Sequence, residues 1–113
     1  MHELSIATNI IEFAEEFAHD HQITDISRIE LEIGQLSGIV TESLKFALEF
    51  AVKNTVLEKA VVVITEVPGK SKCNNCQTIF NIYDWSTICP ACRSMDFEII
   101  GGKELQIKSI FID

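Results

Sequence analysis

The chain has 113 residues, 47% of them hydrophobic, which is the size and apolar content of one ordinary domain. A formal net charge of −8 repels phosphate backbones and argues against nucleic acid as the main partner. No apolar run reaches the roughly 18 residues that read as a membrane span, and no basic segment followed by an apolar one marks a secretory leader. The expectation is a cytoplasmic protein with reduced thiols and no membrane partner.

The chain opens Met1-His2-Glu3. A histidine in second position offers three nitrogens to one ion: the Met1 α-amine, the deprotonated His2 amide and the His2 imidazole. Fused chelate rings of this kind favour square-planar ions such as Ni(II) or Cu(II). The Glu3 amide or carboxylate is available as a fourth ligand. Met1 is expected to survive processing, because His2 is too bulky for efficient methionine removal. On these three residues alone, a Met-His start with no ligand role is the stronger reading. His19 and His21 read as solvated residues at a helix end.

Residues 4–18 predict an amphipathic helix, with Ile6, Ile10, Phe13 and Phe17 as its stripe and Ala7, Ala14 and Ala18 beside it. Residues 28–33, Arg-Ile-Glu-Leu-Glu-Ile, alternate strictly and predict a strand with one buried face. Gly34 and Gly38 bracket a loop, and Thr41 is expected to N-cap a second helix. That helix carries Leu44, Ala47, Leu48 and Ala51, widened by Phe46 and Phe50, and fades near Asn54. Residues 60–67 are rich in β-branched side chains and predict a second strand, ended by Pro68-Gly69. Residues 103–112 predict a last strand returning to the same sheet. Its apolar phase shifts between Leu105/Ile107 and Ile110/Ile112, which a β-bulge or burial on both faces explains.

Between these strands lies Cys73-Asn-Asn-Cys76, twelve residues, then Cys89-Pro-Ala-Cys92. Paired CxxC turns bring four thiolates onto one tetrahedral ion, and structural zinc is the leading reading. The segment is too small for its own core, so the metal must stabilise it. Thr78–Tyr83 has strand character within it. Rubredoxin-like iron, a disulfide pair and a thioredoxin-like redox motif are weaker alternatives. A four-cysteine zinc leaves no open position for water, and no nucleophile–base pair or phosphate-binding glycine loop occurs elsewhere. The chain therefore does not read as an enzyme. The fold class expected is α+β: a small three-stranded sheet with two helices, plus an inserted four-cysteine zinc-ribbon-like module. The boundaries expected are 1–69 with 102–113 for the α/β domain and 70–101 for the insert.

The whole pattern resembles the HypA/HybF family, nickel metallochaperones of nickel–iron hydrogenase maturation. The likeness runs through Met1-His2-Glu3-Leu4-Ser5, Ile33-Gly34-Gln35-Leu36-Ser37-Gly38, Glu42-Ser43-Leu44-Lys45-Phe46-Ala47, the paired CxxC motifs and Glu104–Ile110. The resemblance implies Ni(II) held by Met1, His2 and Glu3, and Zn(II) held by Cys73, Cys76, Cys89 and Cys92. It implies two partners, the GTPase HypB and the hydrogenase large subunit, and allows a homodimer. Some relatives carry a histidine directly after a zinc knuckle; here Asn74–Gln77 and Arg93 include none. A zinc-ribbon interaction module is the rival reading, and it leaves the N-terminal residues unused.

Overall fold

The structure, a computed structural model, describes residues 2–82 and 87–112. Its elements in chain order are α1 (Glu3–Asp20), β1 (Arg28–Gly34), α2 (Thr41–Ala51), β2 (Val61–Val67), β3 (Lys70–Cys73), β4 (Ile79–Asn81), β5 (Phe97–Gly101) and β6 (Leu105–Phe111). They build two three-stranded sheets, ordered β2-β1-β6 and β4-β3-β5. The fold is α+β, as expected. The second sheet is more regular than the sequence suggested. Lys70-Ser-Lys-Cys73 and Phe97–Gly101 are strands that no strong alternation announces.

In the first sheet β1 is central, parallel to β2 and antiparallel to β6. Parallel strands need a crossover, and α2 supplies it. The alternation of β1 places Ile29, Leu31 and Ile33 on one face, where all three are buried. Each such side chain contributes about 1.5–3 kcal/mol by leaving water. Ile29 stands opposite Ile110, Leu31 opposite Ile107 and Ile33 opposite Leu105. Between the Glu30–Ser109 and Leu31–Ile107 pairs the register slips, so Lys108 is the extra residue of a bulge. That bulge is the cause of the phase shift read in the sequence.

The helices cover the same face, but their stripes sit differently from the expectation. On α1 the buried residues are Ile6, Ala7, Ile10, Ala14 and Ala18. Phe13 is 52% exposed, and Phe17 stacks on His21 with ring centroids 4.3 Å apart. The small alanines let α1 approach its neighbours closely, which turns the phenylalanines to the flank. On α2, Leu44 and Leu48 face the core. Phe46 and Phe50 lie about 160° and about 120° around the helix from Leu44, remain exposed and pack edge to face on each other at 5.1 Å. The N-cap of α2 is Val40, not Thr41. Thr41 is the first helical residue, and its hydroxyl donates to Glu66 Oε1 at 2.8 Å, tying α2 to β2.

The two sheets meet where three glycines crowd together. A Cβ on Gly34 would overlap the carbonyl of Gly102, and one on Gly102 would lie 2.5 Å from Gly69 Cα. Gly102 also has φ +100°, a left-handed conformation that glycine adopts without a Cβ penalty. Backbone bonds from Gly34 N to the Glu104 carbonyl and from Leu36 N to the Gly102 carbonyl, both 2.7 Å, close the junction.

Candidate metal centres

The first centre is the cysteine cluster. Cys73 ends β3, Cys76 follows one turn later, and Cys89 and Cys92 lie in a second turn before β5. All four Sγ atoms lie within 4.8 Å of one another. The Cys73–Cys92 and Cys76–Cys89 sulfur pairs are each 3.6 Å apart. Sulfurs held at about 2.3 Å around a tetrahedral ion stand about 3.8 Å from each other, so the donor set fits a thiophilic metal such as zinc. Phe80 and Phe97, edge to face at 5.4 Å, back the buried Cys73 and Cys89.

Each turn has the same build. Gln77 N donates to the Cys73 carbonyl at 3.0 Å, and Arg93 N to the Cys89 carbonyl at 2.8 Å. The residue after each second cysteine is left-handed, Gln77 at φ +66° and Arg93 at +62°. Backbone amides of Asn75 and Cys76 aim at Cys73 Sγ, at 3.4 and 3.5 Å. The Asn75 side-chain amide reaches Cys92 Sγ at 3.6 Å, bridging the two turns. Asn74 is pinned to Asp96 by side-chain and backbone bonds of 3.0 and 2.9 Å. The sequence reading did not single out Asn74, Asn75 or Thr78.

These donors set the thiols apart. The Thr78 hydroxyl, 3.1 Å from Cys76 Sγ, together with the Thr78 backbone amide pulls the Cys76 thiol down to about 6. The Asn75 side chain and the Ser94 backbone lower Cys92 as well. At Cys73, backbone donation from Cys76 favours the thiolate, but burial and the neighbouring thiols outweigh it and the pKa rises. The exposed pair is thus shifted toward the thiolate and the buried Cys73 toward the thiol.

The second candidate centre is the N-terminus. His2 is the exposed N-cap of α1, extended at φ −81° and ψ 143°, and its side chain makes no capping bond. Glu3 is half-buried and begins the helix. The first bond of the helical ladder runs from Ile6 N to the His2 carbonyl at 3.2 Å. The amides of His2 and Glu3 therefore lie outside that ladder, as helix-initial amides do. Met1, the expected amine donor, lies outside the described residues. The two centres involve different ends of the fold's sequence and share no ligand. Among the described residues, the cysteines are the sole group of three or more Cys, His, Asp or Glu side chains placed to hold an ion.

Residues 1–112 match a family model described as hydrogenase/urease nickel incorporation, metallochaperone, HypA. The hydrogenase maturation factor HypA of Parabacteroides distasonis is 44% identical over 112 residues, spanning 99% of this chain and 97% of that one. The HypA of Geobacter sulfurreducens is 36% identical over the whole of both chains. The solution structure of the Ni metallochaperone HypA from Helicobacter pylori superposes with a TM-score of 0.67 at 26% identity, covering 99% of this chain and 97% of that one. A second HypA solution structure gives 0.72 at 27%, covering 99% and 96%.

Proposed function

The chain belongs to the HypA family of nickel-incorporation metallochaperones, proteins of hydrogenase maturation that are not enzymes, and from that premise we propose how it carries its metals. Ni(II) is the cargo, bound at the N-terminus by the Met1 amine, the His2 amide and imidazole, and Glu3. Zn(II) is the resident ion, held by Cys73, Cys76, Cys89 and Cys92. Residues 1–69 and 102–113 form the nickel-binding unit and residues 70–101 the zinc-binding insert. The protein works in the cytoplasm between HypB, a GTPase, and the hydrogenase large subunit.

The observation that carries the terminal site is the position of His2 at the head of α1. Deprotonating its amide for a metal breaks no helical hydrogen bond, because the ladder starts at Ile6 N. The amidate produced is an anion at the positive end of the helix dipole. The imidazole is exposed and uncommitted to a cap. An exposed chelate also suits delivery, since an incoming partner replaces its ligands one at a time. Nickel loading expels protons from nitrogen, so it weakens as pH falls.

Nickel titration of the untagged chain against His2→Ala tests this. The substitution should lower affinity by about 100-fold or more, and acetylation of the Met1 α-amine, which removes that donor, should lower it too. An unchanged His2→Ala affinity would remove the terminal site.

A further inference from the structure

We propose that the groove between α1 and β6 is a docking site for a cationic amphipathic helix of a partner protein. The groove encloses about 330 Å³ and begins at Ile6, one turn after His2. Ile10 and Phe13 form one wall, Leu105 and Ile107 the other, and the core residues Leu31 and Ile33 its floor. Phe13 is 52% exposed and Leu105 39%, so apolar side chains stand open at both rims. Asn9 and Gln106 are the polar groups of the lining. Two amides and no charge give a small polar ligand little to orient it, whereas apolar side chains of a partner fill such a slot.

The charge beside the groove says which partner. Along α1 the stripe Asn9, Phe13 continues at helical spacing to Glu16 and Asp20, with Glu12 alongside, and the three carboxylates are exposed. Among the described residues the one ion pair is Arg28–Glu30, so no described cation pairs with these carboxylates. They also lie toward the negative end of the α1 dipole. An apolar slot leading into unpaired acid complements a helix with leucine-like side chains on one face and lysine or arginine flanking it. A strand is the poorer occupant, because the β6 edge is broken by the bulge at Lys108. A second copy brings the same carboxylates and repels. On the N-terminal nickel reading, a helix seated here stands beside the cargo; the docking itself does not depend on that reading and is tested without nickel.

The test is a titration of the isotope-labelled, zinc-loaded chain with a leucine–lysine peptide of about five helical turns, followed by amide chemical shifts. A peptide of the same pattern with glutamate for lysine is the control. Saturable shifts confined to residues 6–20 and 105–107 are expected, absent with the glutamate peptide. Phe13→Glu and the pair Glu16→Lys/Asp20→Lys should each weaken binding about tenfold or more. Phe13→Ser, milder at this exposed position, should weaken it in the same direction. Shifts scattered over the acidic surface, equal binding of the glutamate peptide, or affinity unchanged in both the Phe13 and the charge-reversal variants would overturn the proposal. So would concentration-dependent shifts of the groove residues without peptide, which would assign the groove to a second copy. Loss of nickel binding in His2→Ala, or its persistence, leaves each of these outcomes readable.

Discussion

At the scale of single residues, the cysteine cluster divides its labour between buried and exposed sulfurs. Cys73 and Cys89 are buried and belong to the small core with Phe80, while Cys76 and Cys92 face solvent. The exposed pair is the one whose thiols are lowered, and the donors responsible are Thr78 and Asn75. Thr78→Val keeps the shape of the side chain and removes the hydroxyl. The Cys76 thiol should then rise from about 6 toward its ordinary 9.0. Because zinc displaces protons from the thiols, a higher pKa means stronger proton competition. The midpoint of zinc loading should therefore move to higher pH in Thr78→Val, by a few tenths of a unit to about one unit. A pH series of zinc competition against a chromophoric chelator measures it. An unmoved midpoint would mean the hydroxyl does not act on the thiolate.

At the scale of elements, the junction of the two sheets is the least forgiving place in the chain. Gly34 closes β1, Gly69 precedes β3 and Gly102 follows β5, and their backbones touch. Gly34→Ala sets a methyl against a carbonyl that is itself fixed by hydrogen bonding to Leu36 N, so neither side can yield cheaply. A loss of more than about 3 kcal/mol is expected in denaturant unfolding. Gly38→Ala is the control: its added Cβ meets nothing, and only the φ of +83° opposes it, at about 1–2 kcal/mol. The sequence made some elements legible and hid others for physical reasons. β1 could be read because one of its faces is core and the other is not, which is what alternation encodes. The bulge in β6 left its trace as a phase shift. The orientation of α1 was hidden because a close helix contact selects alanine, so the bulkiest residues, Phe13 and Phe17, pointed to the wrong face. The strands β3 and β5 were hidden because their burial alternates where their hydrophobicity does not: the inward residues of β3 are Ser71 and Cys73, and those of β5 are only half-buried. The cysteine cluster was readable at once from spacing, whereas Asn75 and Thr78 act through backbone turns whose geometry the letters do not display.

At the scale of the whole molecule, the fold is elongated, 54 × 24 × 17 Å, because its two sheets join at the glycine junction instead of stacking into one core. The larger core runs through α1, α2 and β1 and has its own buried isoleucines and leucines; the smaller one consists of Phe80 and the cysteines with Phe97 against them. Two cores of such unequal size should fail separately. Cys73→Ala removes one proposed metal ligand and a buried sulfur from the smaller core, which has little apolar area to offset the loss. The larger core loses nothing but the anchoring of its junction. Amide exchange should therefore become fast through β3, β4 and β5 while β1 and the buried face of α1 stay protected. The variant also separates the two metals. The proposed nickel chelate uses the first three residues of the chain, and none of its side chains bonds the insert among the described residues. Nickel affinity should accordingly stay within about threefold of wild type, a difference of about 0.7 kcal/mol. Nickel titration of the variant beside its exchange map decides the point. Affinity lost together with protection of the insert alone would make the zinc module a participant in nickel binding; affinity retained makes it a staple that shapes the far end of the molecule and leaves the cargo to the head of α1.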